Sequence, residues 1–242
     1  MTADLFFRFP HTPHLAWLGE GSAREDKVFS PAERTAFLEK PVSIEEKVDG
    51  ANIGISLSPA GEIRVQNRGQ YIQLPSPGQF GRLPSWLAVN SANLIEALGQ
   101  NLILFGEWCT ARHTVAYEEL PDWFLAFDVY DREEEVFWST RRRNELAALI
   151  GVPVVPSLFE GRASFEQIKA LVMNESSRLG GRKLEGVVIR QQSQERLLDR
   201  AKLVHPEFTQ SITEHWKNRR IEWNKLGAPI PANTSCCNPP SK

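Results

Sequence analysis

At 242 residues, 41% of them hydrophobic, the chain is long enough to bury a substantial core as one domain with a small appendage. Its 28 basic and 30 acidic side chains leave a formal net charge of −2, so any contact with nucleic acid must come from a local patch and not from a globally basic surface. No run is apolar enough to span a membrane, the start Met1-Thr2-Ala3-Asp4 has no secretory-leader pattern, and Cys109, Cys236 and Cys237 offer neither a disulfide framework nor zinc-ligand spacing. A cytoplasmic chain without a membrane partner or an obligate protein partner is the expectation, with Cys109 a small buried apolar residue.

Residues 42–48, 51–57 and 63–67 alternate or run apolar at strand length, with the turn Pro59-Ala60-Gly61 between the last two, and read as an antiparallel meander. Helical spacing follows over 85–98, a strand over 102–108 and another over 123–130. Residues 141–150 and 164–179 again have helical spacing, with Ser139-Thr140 and Ser164 as caps, and strands are expected over 186–190 and 201–204. The pattern predicts an α+β domain of mainly antiparallel sheets with flanking helices over residues 1–208. Beyond it, Phe208, Ile212, Trp216, Arg219, Trp223 and Leu226 recur at three- or four-residue spacing, and Lys217, Arg219, Arg220 and Lys225 make the segment basic. This predicts an amphipathic helix over 209–226 that docks its tryptophans and can offer a basic side to phosphates. Residues 227–242, with Pro229, Pro231, Pro239 and Pro240, read as a disordered tail.

Chemistry concentrates around Lys47, in Glu45-Glu46-Lys47-Val48-Asp49-Gly50-Ala51-Asn52. A strand end fixes the amine, Gly50 lets backbone approach a ligand closely, and a lysine whose pKa falls on desolvation or beside other cations can be neutral when it attacks a nucleotide phosphate. A half-buried Lys47/Asp49 ion pair at a strand end has the same pattern. Glu107 closes the run Leu102 to Phe105-Gly106, and Glu185 precedes Gly186 on a later strand. Two carboxylates make sense beside a divalent ion and a triphosphate, or each can pair with an arginine such as Arg68 or Arg190. Phe127 can stack on a base or simply fill the core. Lys202 can neutralise a phosphate or face solvent.

The order of these segments, from the Lys47 motif through Phe105-Gly106-Glu107, Phe124-Leu125-Ala126-Phe127-Asp128-Val129-Tyr130 and Leu184-Glu185-Gly186-Val187-Val188-Ile189-Arg190 to Arg200-Ala201-Lys202-Leu203-Val204, resembles the covalent nucleotidyltransferase superfamily of polynucleotide ligases and RNA capping enzymes. Within it the chain is similar to ATP-dependent RNA ligases of the RNA ligase 2 type, from about Phe7 to about Phe208. The resemblance implies a nucleotidyltransferase (adenylation) domain that forms AMP covalently on Lys47 from ATP, transfers it to a 5'-phosphate and seals that end to a 3'-hydroxyl, in RNA repair. It implies Mg²⁺ or Mn²⁺ at Glu185, with Glu107 on the ribose or a metal-bound water, and Phe127 under the adenine. Glu46 matches the position whose backbone lies near the adenine edge, Asp49 belongs to the nucleotide-binding motif, Arg68 matches a phosphate-holding arginine, and Lys202 supplies charge at the α-phosphate. Lys27, Arg112 and His113, in segments also similar to bacterial members, can meet phosphates or serve as salt bridges and caps.

Two features depart from the family pattern. Arg200 stands where a lysine is usual, and its permanent charge suits phosphate neutralisation more than proton exchange with Lys47. A separate C-terminal domain, often present in this type, has no counterpart after Phe208, so RNA ends already aligned at a nick are the expected substrate. Other readings share the Lys-x-Asp-Gly motif: a DNA nick ligase or a GTP-dependent capping-type nucleotidyltransferase. A non-catalytic RNA-end binding module is a further alternative, against which the joint presence of Lys47, Glu107, Glu185 and Lys202 argues.

Overall fold

The computed structural model describes residues 6–20, 23, 26–210 and 221–228. In chain order the elements are α1 (Pro31–Leu38), β1 (Val42–Glu46), β2 (Ala51–Leu57), β3 (Ile63–Gln66), α2 (Leu83–Leu98), β4 (Leu102–Trp108), β5 (Phe124–Asp131), β6 (Val136–Phe137), α3 (Thr140–Ile150), β7 (Ser157–Gly161), α4 (Phe165–Asn174), β8 (Gly186–Gln192), β9 (Leu197–Val204) and α5 (Pro206–Gln210). Local chemistry sets the helix starts. Ser30 and Glu33 cap α1 reciprocally, Ser164 and Gln167 do the same for α4, and Ser139 accepts from the Arg142 amide at the head of α3.

The strands form two antiparallel sheets, β7-β1-β8-β9 and β3-β2-β4-β5-β6. Helices α2 and α3 cover the five-stranded sheet with a core that includes Ile53, Leu94, Leu104, Val129 and Leu146. Helices α1 and α4 cover the four-stranded sheet through Phe37, Ile44, Ile168, Val187 and Leu203. The α+β class with flanking helices is therefore as expected. The meander is not: β2 and β3 pair as a hairpin, but β1 lies in the other sheet. Both of its edges are taken, Ile44 facing Phe159 of β7 and Ile189 of β8, so the chain must leave that sheet at Lys47 and enter the next at Ala51. The turn carrying the motif is thus the crossing between the two sheets.

Two further expectations change. Helix α4 stops at Asn174, short of residue 179, because the following loop turns in to place Ser177 on Glu46. Helix α5 overlaps the expected C-terminal helix only at residues 209 and 210, and residues 221–226 are not helical. They run extended against the loop after β4, with Ala111 bridged to Trp223 and Leu120 to Leu226. The buried amide of Asn224 and the backbone bonds of its neighbours tie this stretch to the loop, which a helix would not allow. Trp223 is half exposed and does not dock. Ile212, Trp216, Lys217, Arg219 and Arg220, and the tail from 229, lie outside the described residues.

Candidate active site

The crossing turn is held from both sides. A Cβ on Gly50 would lie 2.6 Å from the Trp108 carbonyl, so glycine here admits a close approach of protein backbone rather than of a ligand. The Gly50 amide donates to Glu107 Oε1 at 3.0 Å. Asp49 turns away from the pocket: its Oδ2 accepts from the amides of Thr114 and Val115 at 2.6 and 2.9 Å, and its own amide donates to the Tyr117 hydroxyl at 2.8 Å. Asp49 is therefore a turn lock among the sequence-derived site residues, not a wall of the pocket.

Lys47, released from β1 and half-buried, points its amine at both oxygens of Glu185, at 2.6 and 2.5 Å. Burial alone would lower its pKa, but Glu185, Asp49 and Glu107 outweigh burial and hold the amine above the ordinary lysine value. Desolvation is thus outweighed by carboxylates, and without nucleotide Lys47 is an ammonium. The same crowding acts on the acids. Burial pushes Glu185 up to about 8 and Glu107 up to about 7, against the pull of Lys47 and with added repulsion from Asp49. Glu185 pairs with Lys47, whereas Arg190 is engaged elsewhere.

Lys47 opens into a pocket between the sheets, walled by Glu46, Glu107, Phe127, Arg68, Arg200 and Lys202, and by Asn52, Val155 and Val188, which sequence reasoning did not single out. Phe127 on β5 and Val188 on β8 face it from opposite sheets, an aromatic face and an aliphatic one suited to a flat base. The Phe127 carbonyl accepts from Arg143 at 2.7 Å and Arg190 at 2.9 Å. Those guanidiniums belong to a buried chain of ion pairs: Arg143 to Glu45, Glu45 to Arg190, Arg190 to Asp128 and Asp128 to Arg200. Arg200 is accordingly not a free phosphate neutraliser. It bonds Asp128 and lies over the rings of Phe9 and Phe137, 4.5 and 4.4 Å from their centroids.

Lys202, opposite Val188 in the β8–β9 register, places its amine 2.5 Å from Asp26, which His11 also meets at 2.8 Å. The segment around His14 pairs with Lys202 and with Val28, adding an edge to the four-stranded sheet. Burial depresses the Lys202 pKa, and Asp26 partly restores it. Arg68 is exposed at the pocket mouth near Phe9. The Glu46 side chain is buried on the Ser177 hydroxyl and the Arg178 amide and its backbone amide donates to the Pro156 carbonyl at 2.9 Å, so neither its carboxylate nor its amide is open to a ligand. Lys27 pairs with Glu33, Arg112 with Glu222, and His113 with Gln79. Cys109 is buried and its thiol pushed up by burial, as an inert core residue should be.

Among the described residues no group of three or more His, Cys, Asp or Glu side chains is arranged to hold a metal alone. Glu107 and Glu185 still fit a divalent cation shared with phosphate oxygens, since such a charge would offset the burial, and with it the repulsion, that raise both carboxyl pKa values.

A family model described as RNA ligase matches residues 40–204. The chain belongs to the RNA ligase family. The match begins just before β1 and ends with β9, so it takes in both sheets and all of the pocket's strands. No curated protein matches the chain. Among solved structures it is similar to Naegleria gruberi RNA ligase with PPi, at TM-score 0.56 and 18% identity over 86% of this chain and 65% of that one. A variant of the same ligase with ATP and Mn gives TM-score 0.55 and 20% identity over 74% and 55% of the two chains. A putative ATP-dependent DNA ligase from Aquifex aeolicus gives TM-score 0.52 and 23% identity over 82% and 50%. These likenesses show a shared fold, and this family member spans 55–65% of the length of those Naegleria chains.

Proposed function

We propose that the chain carries the nucleotidyltransferase activity of an ATP-dependent RNA ligase. The observation that carries this reading is the placement of Lys47 at the sheet crossing, inside a pocket that also holds Phe127, Glu107, Arg68, Arg200 and Lys202. The neutral Lys47 amine attacks the α-phosphorus of ATP, the bond to the bridging oxygen breaks, and pyrophosphate leaves with the electron pair. A 5'-phosphate oxygen then displaces lysine and takes the AMP. Finally a 3'-hydroxyl attacks the activated 5'-phosphate, closing a phosphodiester and releasing AMP. Such displacements depend on in-line placement and on cations at the phosphate oxygens.

Phe127 and Val188 hold the adenine, with the Glu46 backbone at its edge. Arg68 and Lys202 meet the phosphates, which requires Lys202 to exchange Asp26 for a phosphate oxygen, and Arg200 supports that wall from Asp128. With a cation on Glu185 its hold on the Lys47 amine would weaken, and the amine then gives up its proton to solvent. Glu107 and Glu185 would hold Mg²⁺ or Mn²⁺, whose charge supports the departing pyrophosphate. The family name supports RNA as substrate, and RNA ends paired to a complementary strand at a nick suit the chemistry best, because the duplex already brings 5'-phosphate and 3'-hydroxyl into register. RNA repair in the cytoplasm, where ATP and broken RNA meet, is the setting proposed.

The test is labelling with ATP carrying a labelled α-phosphate and Mg²⁺. Wild type should gain covalent label and Lys47→Ala should gain none, while Lys47→Ala should still seal RNA that already carries a 5'-adenylate. Labelling of Lys47→Ala at the wild-type level would move the chemistry elsewhere, and a preference for GTP over ATP would favour capping.

A further inference from the structure

The extended segment 221–228 contributes no residue to the pocket wall, yet it is bound to the nucleophile's turn through a single intervening loop, residues 109–120. On the outer side of that loop, the Asn224 amide donates to the Thr110 carbonyl at 3.0 Å and the Lys225 amide to the Tyr117 carbonyl at 2.9 Å. The Asn224 side chain, in a residue 5% exposed, donates to the Cys109 carbonyl at 2.8 Å and the Ala111 carbonyl at 3.3 Å. Its oxygen accepts from the Tyr117 amide at 3.0 Å. One carboxamide thereby ties down three backbone points of an irregular loop, and without it each would be left buried and unpaired.

On its inner side the same loop grips Asp49 through the Thr114 and Val115 amides and the Tyr117 hydroxyl. Tyr117 is fully buried and joins the two sides, its backbone on Asn224 and its phenol on the Asp49 amide, two residues from Lys47. We infer that segment 221–228 is a strap that positions the nucleophile: Asn224 sets the loop, the loop sets Asp49, and Asp49 sets the line along which the Lys47 amine meets the phosphorus. The inference rests on the ligase reading of Lys47. Asn224 and Tyr117 are positioning residues, since neither reaches the reacting atoms.

In-line displacement is sensitive to such placement, a misalignment of about 1 Å costing about 100-fold in rate. Of the walls that bind nucleotide, Lys202 rests on Asp26 and Arg68 lies near Phe9, while Phe127 touches the cluster containing Val115 and Tyr117 but is fixed at its carbonyl by Arg143 and Arg190. Loss of the strap should therefore slow the chemistry without weakening ATP. The experiment compares full-length wild type, Asn224→Ala, Tyr117→Phe and the double variant in single-turnover labelling with ATP and Mg²⁺, and in sealing of pre-adenylated nicked RNA. Tyr117→Phe keeps the buried ring and breaks only the phenol link, so it reports even where Asn224→Ala folds poorly.

Each single change should lower the labelling rate at saturating ATP by about 10- to 100-fold. The half-saturating ATP concentration and the sealing of pre-adenylated RNA should stay close to wild type, because Lys47 is not the nucleophile in that last step. The double variant should be no slower than the slower single, as expected of links in one chain. Rate losses that multiply in the double variant, an equal loss in sealing pre-adenylated RNA, a shift confined to half-saturating ATP, or no change in rate would each overturn the strap. A wild type that ATP does not label would sink the ligase reading and the strap with it, whereas a labelled wild type with any of those four outcomes sinks the strap alone.

Discussion

Replacing Glu185 by glutamine tests the charge state of Lys47 directly. Both carboxylate oxygens lie within 2.6 Å of the amine, and the two side chains are 27% and 11% exposed, so solvent screens the pair only partly. A hydrogen bond between charged groups contributes about 1.5–3 kcal/mol, and a glutamine oxygen retains an ordinary bond of about 0.5–1.5 kcal/mol. The difference, about 1–1.5 kcal/mol, corresponds to about a tenfold change in an equilibrium. The Lys47 value should fall toward the ordinary lysine range, since Asp49 and Glu107 remain. At pH 8 the neutral fraction then rises about tenfold. Trace acetylation of the nucleotide-free protein, resolved at Lys47 by mass spectrometry between pH 7 and 9, reads this as about tenfold faster modification. Labelling with ATP and Mg²⁺ should move the other way and slow, because the carboxylate proposed to serve the divalent ion has gone. Acetylation of Lys47 at the wild-type rate in Glu185→Gln would refute the view that this ion pair holds the proton.

Glu107 gives a pH test of stability. Its folded pKa is raised to about 7, so between the ordinary value of 4.5 and that point the folded state binds a proton that the unfolded chain does not, and stability falls as pH rises through this window. Glu107→Gln should leave Tm nearly unchanged at pH 5 and raise it at pH 8 in protein free of nucleotide and metal; a difference that does not vary with pH would refute the assignment. Arg200→Lys keeps the charge but loses both ring faces and the planar fork, about 1–2 kcal/mol for the two ring contacts and a Tm lower by about 2–8 °C. A lysine variant with wild-type Tm and wild-type labelling would restore the simpler role in phosphate neutralisation.

Much of the site was legible because its side chains sit at strand ends, where period-two patterning and Gly punctuation mark positions well. Lys47 and Glu107 are of this kind, Phe127 and Lys202 lie inside β5 and β9, and the pocket gathers all four. The roles of the supporting residues were not legible. Asp26, which holds Lys202, and Tyr117 lie in segments noted only as similar to bacterial family members, and Asn224 falls between the spaced positions of its stretch. Strand adjacency failed at β1 for a related reason: neighbours in the chain need not be neighbours in a sheet, and both edges of β1 are filled by strands from much later. The basic, tryptophan-spaced C-terminal stretch read as a helix because three- and four-residue spacing carries no record of competing backbone partners. The loop after β4 supplied those partners for residues 222–227.

The buried ion-pair chain explains why charges rather than apolar residues stand behind Phe127. Buried pairs of this kind need not stabilise a fold more than apolar residues would. They do fix direction, and here two guanidiniums converge on one carbonyl and fasten the aromatic wall to both sheets. Three arginines against two carboxylates leave that chain with a surplus positive charge, whose pocket end, Arg200, lies near Arg68, itself near Lys202. Around Lys47 the surplus is the opposite, with Asp49, Glu107 and Glu185 acting on a single amine. On the ligase reading, this separation of signs selects its ligand. A nucleotide alone would meet Glu107 and Glu185 near its reacting phosphate, and a divalent cation alone would find no complete cage among the described residues. A nucleotide bound together with its cation carries both signs, and it alone satisfies both sides of the pocket.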